Sequence, residues 1–354
     1  MPHLWLTIVL LLGSAIVIYL SCELFVNGVE WVGEKMAVGQ KATGSILAAF
    51  GTALPESVVT LVAVAGGSAA GKELGVGAAL GGPLALSTIA YATVGVTLLL
   101  CRKHLPKTAE IRTEFRGLAR DQGWFLLIFA AKIGLGLIAF AWKPWLGILF
   151  LAAYALYIRQ EMSGHGDDEE GEREPLTFQR HATIPSTALA LLQTGLALLV
   201  IFIASRTFVA QLETLGPLVG LPPQLLALLL SPIATELPET MNAIIWVRQG
   251  KHRLALANIS GAMMIQATVP TAFGLFWTPW LLDKPLLVAA GITAIAVAIM
   301  FLCFRAGKIS RKLLAAMALL YLVFAALLVT FHLADRAAGV PSGVTALASA
   351  LART

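Results

Sequence analysis

Charge is what this chain lacks most. Lys, Arg, Asp and Glu make up 13% of its 354 residues and hydrophobic residues 58%, whereas soluble domains carry about 25% charged residues. A soluble body of this size needs a polar surface, so a soluble fold is excluded. Cysteine is equally scarce. Cys22, Cys101 and Cys303 lie far apart, inside or beside apolar runs, and make neither a C-x-x-C pair nor a disulfide framework. The six His residues show no H-E-x-x-H or other ligand spacing, which excludes a soft-metal centre. The net charge is +5, yet no basic patch is interleaved with aromatics, so nucleic acid is excluded as a partner. No Lys or Arg precedes the first apolar run at Leu4, which argues against a cleaved signal peptide.

What the chain does have is long apolar runs. A bilayer core needs about 20 residues per helix, and ten candidates are present: Leu4–Phe25, Gly44–Ala65, Leu74–Cys101, Trp124–Trp142, Trp145–Ile158, Thr183–Ser205, Leu225–Val247, Leu254–Trp277, Leu286–Phe304 and Leu313–Leu333. Trp145–Ile158 is short for a crossing, and loop charge decides its status. With ten crossings the loop Lys and Arg residues divide eighteen to six; without it they divide twelve to twelve. Only the uneven partition follows the positive-inside bias. The expectation is an all-α, multi-pass cell-membrane protein of ten transmembrane helices with both termini extracytoplasmic. Loop Gln160–His181 then lies in the cytoplasm. Its run Asp167–Glu174 lacks the D-x-[DN]-x-[DN]-G order of a calcium loop and reads as a solvated linker.

The runs are duplicated. Phe50-Gly-Thr-Ala-Leu-Pro-Glu56 in the second span matches Ile233-Ala-Thr-Glu-Leu-Pro-Glu239 in the seventh, at an offset of 183. Each precedes a Gly-rich span, Gly75–Gly82 and Ala257–Ala262, and three extra residues in the first loop bring Gly81 onto Gly261. Glu23-Leu-Phe-Val-Asn-Gly28 likewise parallels the stretch around Arg206-Thr-Phe-Val209. Five helices separate the copies, an odd number, so they run oppositely through the membrane. The division is residues 1–158, a linker 159–182 and residues 183–354: two inverted five-helix repeats, a secondary-transporter pattern with its site at the repeat interface.

Chemistry concentrates in the Thr-x-x-Pro-Glu segments. A helical proline lacks an N–H and frees the carbonyl four residues back. For Pro55 this is the carbonyl of Gly51, and for Pro238 that of Ala234. At membrane depth such a carbonyl survives only inside protein or facing a wet cavity. Thr52 and Thr235 sit four residues before Glu56 and Glu239, on the same helical face. Two carboxylates, two hydroxyls and freed carbonyls suit a hard cation, and calcium takes about 6–8 oxygens. A lone Pro-Glu could merely mark a kink. A carboxylate at the helix centre costs about 2.5–3.5 kcal/mol on insertion scales, and its recurrence in both halves argues for function.

These segments resemble the paired alpha-repeats of the cation/calcium exchanger superfamily, whose motif reads G-[TN]-S-x-P-E. The resemblance spans the whole five-plus-five layout. It implies alternating access, with Glu56 and Glu239 as central calcium ligands and Thr52 and Thr235 beside them. The chain departs from the pattern in both signatures. The motif's Ser is Ala53 in one half and Glu236 in the other. The second signature, G-S-N-x-x-[ND], reads Gly81-Gly-Pro-Leu-Ala-Leu86 and Gly261-Ala-Met-Met-Ile-Gln266. Leu86 therefore has no oxygen to offer, while Gln266 has one.

The expected function is antiport of calcium against a monovalent counter-ion, sodium on the family's base rate, with no cofactor and with lipid and the transported ions as partners. Glu236 and Glu239, three residues apart, keep proton coupling open as the alternative. Lys132 lies deep in the fourth span, either as a tethered cation pairing with Glu56, Glu236 or Glu239, or as a lysine facing a crevice or an interhelical carbonyl. Glu23 and Gln193 read as interfacial or interhelical. A non-transporting cation sensor and an intramembrane enzyme using paired acids are the competitors from other classes. No Ser/His pair or membrane-protease Asp motif supports the enzyme.

Overall fold

The computed structural model describes residues 2–35, 40–101, 110–112, 115–163, 174–182, 184–250 and 252–337. The chain is nearly all helix, because at membrane depth each segment must bond its own backbone N–H and C=O groups. Its helices are α1 (Pro2–Lys35), α2 (Gln40–Ala65), α3 (Ala69–Ala85), α4 (Tyr91–Leu100), α5 (Arg116–Gly136), α6 (Gly147–Ser163), α7 (Thr187–Val219), α8 (Pro223–Thr235), α9 (Leu237–Arg248), α10 (His252–Trp277), α11 (Lys284–Arg305) and α12 (Arg311–Ala337). Among the described residues, six stretches are long and apolar enough to cross a membrane: Leu4–Val29, Ala69–Leu100, Thr187–Val219, His252–Trp277, Lys284–Arg305 and Arg311–Phe331. The protein is a multi-pass membrane protein.

All ten expected spans overlap helix, with three informative departures. The third is one continuous rod in which a π turn, Leu86–Ala90, joins α3 to α4. Ser87 Oγ and Thr88 Oγ1 both donate to the Leu84 carbonyl, at 3.1 and 2.5 Å. That competition favours a slipped ladder, and the Tyr91 N–H reaches five residues back to Leu86. The fourth span ends at Gly136 rather than Trp142, because the Leu282 N–H takes the Gly136 carbonyl at 2.9 Å.

The seventh span is cut. Glu236, at φ −95° and ψ 6°, ends α8 and starts α9. By contrast α2 runs unbroken through Pro55. Among the described residues, then, only the second Thr-x-x-Pro-Glu segment is broken. Pro55 removes one bond from a 26-residue helix. In the second half Pro232 and Pro238 each remove one within two turns, and Pro238 escapes the penalty by sitting in a new first turn.

Helices α3 and α10 form the centre, with most of their length buried in protein, whereas α1, α7 and α12 turn broad apolar faces outward, as lipid permits. The central packing is crosswise: α3 lies against α8, and α10 against α2. Gly81 makes the first contact possible, since a Cβ there would stand 2.8 Å from the Leu228 carbonyl oxygen. Pro232, four residues after Leu228, has no N–H to give that oxygen.

Several ties join parts of the chain that are distant in sequence. Strands β1 (Glu110–Arg112) and β2 (Lys308–Ser310) pair antiparallel, with Ile111 opposite Ile309. Ser68 Oγ donates to Glu213. Near the end of α1, Trp31 Nε1 donates to the Glu174 carbonyl at 3.1 Å, and Asn27 Oδ1 accepts from the Thr177 N–H at 3.0 Å and from Gln193 Nε2 at 2.9 Å. Gln193 is thus an interhelical clasp on the linker's exit, in line with the interhelical expectation. Residues 164–173, which hold nearly all of the acidic run, lie outside the described residues.

Candidate ion-binding site at the helix crossing

Where α2, α3, α8, α9 and α10 meet, the interior is unusually polar. Glu56, Glu236, Glu239, Thr235 and Gln266 are all buried there, with Glu56, Glu239 and Gln266 fully so. An isolated buried carboxylate is costly, so each must be compensated. Thr235 Oγ1 donates to Glu56 Oε2 and joins the Thr-x-x-Pro-Glu segment of one half to that of the other. Gln266 Nε2 donates to Glu236 Oε1. The amide is set by Gly82, where a Cβ would stand 2.6 Å from Gln266 Oε1.

Among the described residues, Glu56 Oε1, Glu236 Oε2 and Gln266 Oε1 in this centre are acceptor oxygens without a hydrogen-bond donor. Buried acceptors without donors are what a hard cation would bind. The acidic groups act on one another, since the charges of both Glu56 and Glu239 bear on Glu236. They are not drawn into one chelating group: among the described residues no three His, Cys, Asp or Glu side chains converge on a point.

Gly51 and Thr52 lie on α2, and Ala234 on α8, as expected. The side-chain placement of Thr52 falls outside the described residues. Leu86, fully buried, brings an alkyl chain to the start of the π turn. Glu23 is exposed on α1, outside the buried centre.

Of its expected alternatives, Lys132 takes the interhelical carbonyl. Fully buried on α5, it donates from Nζ to the Ala79 carbonyl on α3 at 2.7 Å, and its charge acts on Glu56. The ammonium lies 5.6 Å from the ring centroid of Phe129 and 5.7 Å from that of Trp280, within cation–π range. Trp280 is fully buried at φ +48°, a region that a bulky residue rarely adopts. Its surroundings hold it there: the indole N–H donates to the Lys132 carbonyl at 3.1 Å, the backbone N–H to Thr278 Oγ1 at 3.0 Å, and its own carbonyl accepts from Lys143 Nζ at 2.9 Å.

Two features escaped the sequence reading. Ala79 precedes Pro83 by four residues, so the carbonyl rule applied to Pro55 and Pro238 would have singled it out. Trp280 carries no local signal, because its role depends on α5 and the α10–α11 turn meeting in space.

The family model described as sodium/calcium exchanger protein matches residues 6–159 and 189–330, which include both Thr-x-x-Pro-Glu segments. The putative antiporter CaxA of Alkalimonas amylolytica is 26% identical over 316 residues, covering 86% of this chain and 92% of the relative. Inner membrane protein YrbG of Escherichia coli (strain K12) is 24% identical over 285 residues, covering 78% and 81%. The crystal structure of the H+/Ca2+ exchanger CAX aligns with a TM-score of 0.75 at 19% identity, over 90% of this chain and 81% of that one. The sodium-calcium exchanger NCX_Mj aligns at 0.59 with 18% identity, over 91% and 99%. At these identities the two structures speak for the fold. On the family model, whose match takes in most of the chain, the chain belongs to the sodium/calcium exchanger protein family.

Proposed function

We propose that this protein is a secondary active antiporter that exchanges calcium for a monovalent counter-ion by alternating access around Glu56 and Glu239. The observation that carries the reading is the Thr235–Glu56 hydrogen bond, which ties the two matched Thr-x-x-Pro-Glu segments together beside acceptor oxygens that lack donors. Thr52, Thr235, Glu236, Gln266 and the Gly51 and Ala234 carbonyls complete the ligand set in this reading. A membrane enzyme using paired acids would have no use for duplicated prolines or for carbonyls freed at bilayer depth.

The proposed architecture is ten crossings in two inverted five-helix repeats, residues 1–158 and 183–354, with both termini extracytoplasmic. Loop ties support the count. If β1 and β2 lie on one side of the bilayer, an even number of crossings separates them, and the same holds for Ser68 and Glu213. Both conditions require α6 to cross. The crosswise packing of α3 on α8 and α10 on α2 suits an inverted pair.

Sodium is the counter-ion expected from the family. One observation favours protons instead: Leu86 supplies no oxygen where Gln266 does in the other half, while Glu236 adds a carboxylate. The deciding experiment is radioactive calcium uptake into liposomes holding the purified protein, under an imposed sodium or proton gradient. We expect uptake driven by one of the two. Binding without flux under either gradient would point to a sensor and overturn the proposal.

A further inference from the structure

We propose that the Lys132 ammonium is a resident cation of the ion-binding centre, standing in for a transported ion and fixing exchange at one divalent cation for two monovalent ions, with no net charge moved. The inference rests on the antiporter reading above and adds its stoichiometry.

Helix α3 provides the first part of the argument. Pro83 has no N–H, so the Ala79 carbonyl is left without an intrahelical partner. In a transporter, such a carbonyl at bilayer depth is a place for a monovalent cation. Lys132 Nζ fills it at 2.7 Å. The ammonium finds there what a free cation would find: a carbonyl oxygen, the field of Glu56, and the faces of Phe129 and Trp280. Unlike a free cation it cannot leave. Its side chain is fully buried, and the indole of Trp280, locked in an unusual backbone conformation, holds the Lys132 carbonyl.

Counting charges provides the second part. When all four buried groups are ionised, Glu56, Glu236 and Glu239 bring three carboxylates and Lys132 one ammonium. The centre then carries two net negative charges, which one calcium ion balances, and so do two sodium ions or two protons. An unbalanced buried charge costs several kcal/mol, so the rearrangement between open states is easiest when the centre is matched. Both loaded forms satisfy that condition only because Lys132 removes one charge. Were Lys132 only a plug for the Ala79 carbonyl, a neutral donor such as glutamine would serve equally well.

The test uses the full chain in liposomes, with the membrane potential clamped by potassium and valinomycin and radioactive calcium as the probe. In the parent protein, the calcium gradient at balance should equal the square of the counter-ion gradient and stay the same at every clamped potential. K132Q adds one uncompensated negative charge, so its balance point should move with potential, and K132R should restore the parent's behaviour. A balance point in the parent that moves with potential overturns the proposal, as does a K132Q protein that carries calcium indifferently to potential. If K132Q fails to insert, the parent measurement still decides. Absence of calcium flux in the parent would defeat the antiporter reading itself, whereas flux with a potential-dependent balance point would remove only the charge assignment.

Discussion

Thr235 has one hydroxyl proton and two acceptors within reach: Glu56 on α2, and the Ser231 carbonyl of its own helix at 2.9 Å. It can hold the halves together or release Glu56 to a cation at little cost. In the proposed site the carboxylates hold the ion. Replacing Glu56 or Glu239 by Gln keeps the shape and removes a charge-assisted contact, roughly twice as strong as a neutral one. E56Q and E239Q should each reduce calcium uptake in liposomes to background while eluting as folded protein on size exclusion. E236Q should lose less, and should shift the pH dependence of uptake if protons are the coupling ion. Either of the first two variants carrying calcium like the parent would move the central site elsewhere.

Helix contacts here depend on backbones lying close, and among the described residues α4 against α12 is the tightest case. A Cβ at Gly95 would sit 2.2 Å from the Ala315 amide nitrogen, a backbone atom that cannot swing away. Overpacking of this kind costs about 1–3 kcal/mol. G95A should therefore lower the unfolding temperature in detergent by several degrees, whereas G134A, with nothing near the added methyl, should not. An unchanged G95A would mean that the two helices are not held at this distance. At this scale the sequence was a partial guide. The apolar runs located every helix, and Leu-Pro-Glu marked both segments of the site. The reading did not separate Pro55 from Pro238, although Pro232, six residues upstream of Pro238, marks the difference. The π turn was hidden as well, since it arises from two hydroxyls competing for the Leu84 carbonyl.

Across the whole molecule, the pairing of Ile111 with Ile309 ties the loop after α4 to the loop after α11. Directly opposed residues in an antiparallel pair lie about 4.5–5.5 Å apart, within reach of a disulfide. I111C/I309C should crosslink on mild oxidation, and both cysteines should be labelled only from the cytoplasmic side, with K284C labelled only from the other. Crosslinking without shared sidedness would upset the topology proposed here. Loop charge alone pointed to that topology, because an eighteen-to-six division leaves little freedom, but nothing in the sequence said which loops touch. One last consequence follows from the cut between α8 and α9 against the unbroken α2. Two identical inverted halves would make a carrier indifferent to direction, with the same half-saturation for calcium on either face. A joint on one side only removes that equivalence. Thermodynamics still ties the overall equilibrium to the ion gradients, yet affinity and rate can now differ between the faces, so a duplicated fold can favour movement one way.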